Sequence, residues 1–139
     1  MPGLFEMHTH QSGLVGEKLG RLWLSYGITS IREPGADPYD AVERREAWAS
    51  GTRLGPRQFL TGGLTDGTRI YYGQATSIYS TSHLDLELNR AVRLEFDFMK
   101  TYVRLSDTYQ QRITEFAHQN GIPVSSHEIY PATQYNVDA

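Results

Sequence analysis

Apolar positions recur along the chain with two spacings, one typical of strands and one typical of helices. Short runs rich in β-branched and aromatic residues predict strands at residues 1–10, 28–32, 57–61, 96–103 and 122–127. Runs with apolar residues three or four positions apart predict helices at residues 14–26, 38–51, 84–94 and 108–120. Between the third strand and the third helix, residues 62–82 show no clear period, and a segment of this length predicts a functional or mobile loop.

The helix ends are marked by residues with known capping roles. Asp37 precedes Pro38, which predicts an N-cap followed by proline in the first helical turn. Ser82 and Asp107 are candidate caps for the third and fourth helices, and Gly27 and Gly121 end the first and fourth. The resulting alternation of strands and helices predicts a parallel α/β sheet in a single domain of residues 1–139.

Two architectures fit this alternation, an open doubly wound sheet and a partial (β/α)8 TIM barrel. The first strand is not followed by a Gly-x-Gly-x-x-Gly motif, which counts against a nucleotide-binding open sheet. In both architectures, functional sites form at the carboxyl ends of the strands. Catalytic or metal-binding residues are therefore expected where the predicted strands end.

Composition narrows the possible partners. The chain has 139 residues, a net charge of −3 and no cysteine, so disulfides and thiolate metal sites are excluded. Its Lys and Arg residues are scattered and no long apolar segment occurs, so we expect neither nucleic acid nor a membrane as partner. The N-terminal residues lack the features of a secretory signal, which predicts a cytoplasmic protein.

Four residues near strand ends are candidate metal ligands or catalytic groups. His8 and His10 point to the same face of a regular strand, with Cα atoms about 7 Å apart, and could share one metal ion. Lys100 and His127 lie in or after the fourth and fifth strands. Each residue also has an ordinary interpretation: solvated histidines at strand ends, and a lysine on an edge strand that reaches solvent.

Considered together, the four residues suggest a more specific chemistry. A lysine flanked by apolar strand residues, at the level of three imidazoles, is expected to favour its neutral amine, because burial and nearby positive charge both disfavour the ammonium. A neutral lysine amine can add to carbon dioxide and form a carbamate. The carbamate is anionic and has two oxygens, so it can bridge two metal ions.

Four segments resemble the metal-dependent amidohydrolase superfamily, in particular imidazolonepropionases and Xaa-Pro dipeptidases. Residues 1–10 resemble its opening strand, with a Pro-Gly-Leu lead and a His-x-His pair. Residues 26–33 resemble its second-strand motif Gly-Val-Thr-Thr-Val-Arg-Asp, Met99-Lys100 falls where its carboxylated lysine is expected, and residues 117–127 resemble the segment that delivers its fifth-strand histidine. The matches occur in the expected order over nearly the whole chain.

The resemblance implies specific roles for these residues. His8 and His10 would bind the more buried metal, Lys100 would be the carboxylated bridge and His127 would bind a second metal, with zinc as the expected ion. Tyr102 and Tyr130 are candidate hydrogen-bond donors to a substrate, or else aromatic packing residues. Glu6 stands where the family often has Asp, and its role is left open. His118 matches a position without a metal role, and His83 matches no ligand position.

The resemblance also implies a half-barrel. The family's barrel has eight strands, with a further histidine on the sixth and a catalytic aspartate on the eighth, and the predicted elements amount only to (βα)4β. Open edges and an uncovered inner face predict a homo-oligomer. The expected function is metal-dependent hydrolysis of amide or ester bonds in small molecules by an activated water, with the proton accepted by Glu6, Glu33, a partner subunit or solvent. The alternative is a catalytically inert half-barrel that only binds metal or assembles.

Overall fold

A computed structural model describes residues 1–11 and 15–127. Its elements alternate as the sequence predicts, with two additional short strands in the segment before the third helix. In chain order they are β1 (Leu4–Glu6), α1 (Lys18–Ser25), β2 (Ile28–Glu33), α2 (Pro38–Ala49), β3 (Arg57–Leu60), β4 (Thr65–Asp66), β5 (Thr76–Ser77), α3 (Thr81–Arg93), β6 (Met99–Thr101), α4 (Asp107–Gln119) and β7 (Val124–Ser126).

All the strand pairs of the described residues are parallel. One sheet has the order β1-β2-β3 and the other the order β5-β4-β6-β7. The amide of Asp97, just before β6, donates to the carbonyl of Leu60 at the end of β3 over 2.8 Å, which connects the two sheets. The main strands thus follow one another in chain order, as in a partial (β/α)8 barrel of the form (βα)4β, and the predicted fold class is confirmed.

Local sequence explains where the helices begin. The Asp37 carboxylate accepts hydrogen bonds from the amides of Tyr39 and Asp40, so the predicted cap of α2 is correct. The predicted caps of the other two helices are each displaced: Ser80 caps α3 in place of Ser82, and Ser106 caps α4 in place of Asp107. In these two cases the hydroxyl that lies in extended backbone just before the helix takes the capping role.

Two elements are shorter than their sequence patterns predict. The helix α1 begins at Lys18, and the predicted starting residue Leu14 lies outside the described residues. The strand β1 ends at Glu6, so His8 and His10 lie beyond it. Chain pairing nevertheless continues past β1, because the amide of Thr9 donates to the carbonyl of Arg32 over 3.1 Å.

Residues 62–82, predicted as a loop, contain real secondary structure. β4 and β5 pair there in parallel, and β4 also pairs with β6. Two-residue strands carry too little pattern to be recognised from sequence alone. This segment lies beside the end of β6 and therefore beside the candidate site.

The helices pack against the strands, and apolar side chains fill the space between them. The largest cluster of these side chains joins α3 and α4 to β6, and the fully buried leucine and isoleucine side chains in it are each expected to contribute about 1.5–3 kcal/mol to stability. The buried residues of this cluster are Ile78, Leu84, Leu88, Ala91, Met99, Ile113 and Ala117. In residues 1–11 and 15–127, no helix is both long and apolar enough to cross a membrane.

Candidate metal centre

The carboxyl ends of β1, β6 and β7 bring the predicted site residues to the same end of the sheet. Lys100 lies within β6, opposite Ser125 of β7, and is only 5% exposed. His127 directly follows β7, and its amide donates to the carbonyl of Thr101 over 3.2 Å. His8 and His10 follow β1. The parallel register thus positions the end of each strand, as expected for a barrel site.

The rings of the two histidines of the His-x-His pair meet edge to face. Their ring centroids are 5.5 Å apart, with an angle of 70° between the ring planes. The His10 Nδ1 atom lies 2.8 Å from the carbonyl oxygen of Gly35. Because a carbonyl can only accept, Nδ1 carries the proton in this contact, and Nε2 of the neutral ring keeps its lone pair. In metal sites, the ring nitrogen that does not bind the metal is typically oriented by a hydrogen bond of this kind.

The electrostatics of His8 connect it to the other predicted ligands. Partial burial lowers the pKa of His8 below its usual value of 6.5, and the positive charges of Lys100, His10, Arg32 and His127 lower it further. The charges of the other three predicted residues thus act on His8, whose ring contacts that of His10, while Lys100 and His127 lie on and directly after the paired strands β6 and β7. Their role as metal ligands stays a prediction.

The unmodified side chains do not complete a metal site. Within residues 1–11 and 15–127, no group of three or more His, Cys, Asp or Glu residues is arranged to hold a metal ion. The His8–His10 pair is present, but a catalytic zinc usually has three protein ligands. Among the described residues, a third ligand near the pair would have to be a residue of another kind, and the charge of Lys100 is among those that act on His8.

Tyr102 lies beside the candidate centre, two residues after Lys100. Its ring centroid is 4.8 Å from that of His127, and the side chain is 9% exposed. Burial and, to a smaller extent, a hydrogen bond with Tyr72 together raise the pKa of Tyr102 to about 12. The phenol is therefore protonated at neutral pH and available as a donor. The other predicted tyrosine, Tyr130, lies outside the described residues.

The two glutamates proposed as proton acceptors have very different surroundings. Glu6 is partly exposed, and its Oε1 atom accepts from the amide of His8 over 3.0 Å. Glu33 is fully buried, and its oxygens accept from the amide of Gln11 at 2.7 Å, Arg44 Nη2 at 2.9 Å and Gln58 Nε2 at 2.5 Å. These contacts hold Glu33 in place as a structural residue. Glu6 is therefore the better placed of the two as a base.

Sequence reasoning missed several residues that shape this region. The guanidinium of Arg32 lies 4.0 Å from the ring centroid of Phe98 and adds positive charge near His8, and burial lowers its pKa. Asp66 is fully buried and organises the segment that carries Tyr71 and Tyr72 next to Tyr102. The only sequence signal for this group was the long aperiodic segment itself.

The remaining two histidines lie on helices. His83 is in the first turn of α3, where its ring stacks on Tyr79 with centroids 4.4 Å apart. His118 is exposed in the last turn of α4. Neither histidine is among the charged groups that act on His8.

The fold and the position of the site define a class: a partial α/β barrel with polar residues gathered at the carboxyl ends of its strands. Solved structures place it more closely. The chain is similar to an amidohydrolase (18% identity, TM-score 0.81), the bottromycin amidohydrolase (22%, 0.81) and a Xaa-Pro dipeptidase crystallised with methionine in its active site (17%, 0.75). Over part of their length, this is the fold of amidohydrolases and prolidases, and the predicted resemblance is confirmed at that level.

The similarity covers nearly all of this chain and a minor part of each neighbour. It extends over 99%, 96% and 91% of the chain, but over only 46%, 29% and 43% of the three neighbouring chains, respectively. The chain thus spans less than half the length of these proteins. No protein-family model matches the sequence, and no curated protein sequence matches it significantly.

Proposed function

We propose that the chain belongs to the amidohydrolase superfamily and forms, as one domain of residues 1–139, the metal-binding part of a hydrolase that cleaves amide or ester bonds in small molecules. The observations that support this proposal are the ring contact of His8 with His10 after β1 and the positions of Lys100 and His127 on and directly after the paired strands β6 and β7. A fold similar to amidohydrolases supports it from an independent direction.

The residues present fit a metal centre if Lys100 is carboxylated. The hydrogen bond to the Gly35 carbonyl leaves His10 Nε2 available to bind a metal ion, and the His8 ring contacts the His10 ring. Desolvation disfavours a charged ammonium, so the low exposure of Lys100 favours the neutral amine that attacks carbon dioxide and loses a proton to become a carbamate. A carbamate oxygen would provide the third ligand for the ion on His8 and His10, with His127 for a second ion.

The chain's own residues have distinct tasks in this proposal. A zinc ion bound there would supply a water with a pKa near 7. Glu6, which is partly exposed and next to the His8 backbone, is the carboxylate that would accept a proton at this centre. Tyr102 stays protonated and donates a hydrogen bond to the carbonyl oxygen of the bond that is cleaved. Glu33 holds the segment after His10 through the amide of Gln11.

The test is hydrolysis of a simple dipeptide amide and an aryl ester by the chain in bicarbonate buffer. We expect chelation of the metal to abolish hydrolysis, added zinc to restore it, and His10→Ala to abolish it in both conditions. The matched control is His118→Ala, an exposed histidine on α4, which should leave the rate unchanged. Hydrolysis that survives both the chelator and His10→Ala would refute the metal mechanism. A folded, zinc-loaded chain that hydrolyses nothing would favour an inert half-barrel.

We further propose that copies of the chain associate through their open strand edges. β1 and β7 each pair with only one strand within the described residues, and Leu4 and Phe5 on β1 are 53% and 48% exposed. Unpaired parallel edges with apolar side chains are templates for association. We expect a dimer in size-exclusion chromatography with light scattering, and Phe5→Glu should shift it to monomer. A wild-type chain that is monomeric at all concentrations would refute this part.

A further inference from the structure

Three tyrosines form a cluster beside His127, which we call the aromatic lip: the exposed Tyr71 and Tyr72 and the buried Tyr102. Ring centroids are 4.8 Å apart between Tyr71 and Tyr72, 5.5 Å between Tyr72 and Tyr102, and 6.2 Å between Tyr71 and Tyr102. Tyr102 in turn contacts His127 with centroids 4.8 Å apart. Tyr102 therefore contacts His127, and Tyr71 and Tyr72 pack on Tyr102.

Hydrogen bonds of the buried Asp66 and of Arg104 hold the segment that carries Tyr71 and Tyr72. Asp66, fully buried at the end of β4, accepts from the amides of Gly67 at 2.9 Å, Arg104 at 2.8 Å and Tyr71 at 3.1 Å. The side chain of Arg104 donates to the carbonyls of Arg69 and Ile70 at 3.0 and 3.1 Å. The backbone that leads to Tyr71 and Tyr72 is thus held by the fold itself.

These two tyrosines are nevertheless largely open to solvent. Tyr71 is 60% exposed and Tyr72 is 43% exposed, whereas Tyr102 behind them is 9% exposed. An ordered pair of exposed rings at the edge of a polar site offers apolar contact area at little entropic cost, because the rings do not have to be immobilised on binding. Ligand sites generally combine such apolar walls with a few polar groups.

From this geometry we infer that the aromatic lip is the specificity subsite for an aromatic side chain of the substrate, next to the bond that the metal centre cleaves. Tyr71 and Tyr72 already meet edge to face at 82°, and a third ring would pack against them in the offset or edge-to-face arrangements that aromatic groups prefer. The inference rests on the proposed function for the identity of the reaction, but the binding site itself does not require a metal.

The binding test uses the chain in chelator, where no turnover occurs. Titration with N-acetyl-phenylalanine amide and N-acetyl-alanine amide, followed by NMR chemical shifts, should show tighter binding of the aromatic ligand. Tyr71→Ala and Tyr72→Ala should each weaken its binding by roughly threefold to tenfold, the range expected for loss of one aromatic pair. Tyr71→Phe keeps the ring and should bind normally, and Tyr26→Ala, 70% exposed at the end of α1, is the control.

The outcomes separate the two proposals. Equal binding of the two ligands, or aromatic binding unaffected by Tyr71→Ala and Tyr72→Ala, would overturn the subsite, whatever the catalytic activity. Binding that depends on the lip would support it even if zinc-loaded protein hydrolysed nothing, in which case only the proposed function would fail. With active protein, Tyr71→Ala should raise KM for phenylalanine amides by a larger factor than KM for alanine amides, and Tyr71→Phe should raise neither.

Discussion

The buried Glu33 gives the sharpest test of how the site is held, through the substitution Glu33→Gln. All three of its partners, the Gln11 amide, Arg44 and Gln58, donate hydrogen bonds. A carboxylate satisfies three donors because it only accepts, whereas a glutamine amide would turn its own NH2 group toward one of them. The substitution also leaves the guanidinium of Arg44, 11% exposed, without its counter-charge.

The expected cost follows from these contacts. Breaking a buried ion pair by removing one partner costs about 3–5 kcal/mol, and the slight exposure of Arg44 reduces this to about 2–4 kcal/mol. For a chain of this size, that corresponds to a loss of about 10 °C in Tm. Because Gln11 adjoins His10, we also expect weaker zinc binding in the variant.

Urea unfolding and thermal melts of Glu33→Gln measure this cost. The matched control is Glu43→Gln, which removes the same charge from the exposed Arg53–Glu43 pair and should cost less than about 1 kcal/mol. If the two variants have the same free energy of unfolding within about 0.5 kcal/mol, the buried carboxylate does not hold the structure as we describe.

Two further predictions concern packing and protonation. Gly20→Ala should destabilise the fold by about 1–3 kcal/mol in urea unfolding despite its better helix propensity, because a Cβ there would overlap the Leu54 carbonyl, whereas Gly73→Ala, which faces open space, should be neutral. In the folded protein the pKa of Tyr102 is raised to about 12. The protonated phenol therefore contributes its full stability below pH 10, and this contribution is lost as the pH rises from 10 to about 12. Tyr102→Phe should remove the last step of a phenolate absorbance titration, and identical titrations would contradict the assignment.

Sequence patterns captured the order of the main elements, while the metal ligands they suggest stay a prediction. Strand and helix periods reflect burial within one element, so the alternation from β1 to β7 was predictable. The candidate ligands could be proposed from the sequence because parallel strands all have their carboxyl ends at the same end of the sheet.

Features that depend on contacts between distant segments were not predictable from the same patterns. Glu33 and Arg44 pair across two elements, and Asp66 binds the amide of Arg104, 38 residues away in sequence. The parallel pair β4 and β5 is too short to show a period. These are tertiary interactions between polar groups, and the periodicity of apolar residues contains no information about them.

The central claim is that His8, His10, Lys100 and His127 form one metal centre that a carbamate completes. The most direct measurement is the zinc content per chain, determined by native mass spectrometry after equilibration with and without bicarbonate. We expect at least one bound zinc in bicarbonate, loss of zinc without it, and loss in Lys100→Ala and His10→Ala but not in His118→Ala. Zinc bound equally by all variants, or by none including wild type, would contradict the account.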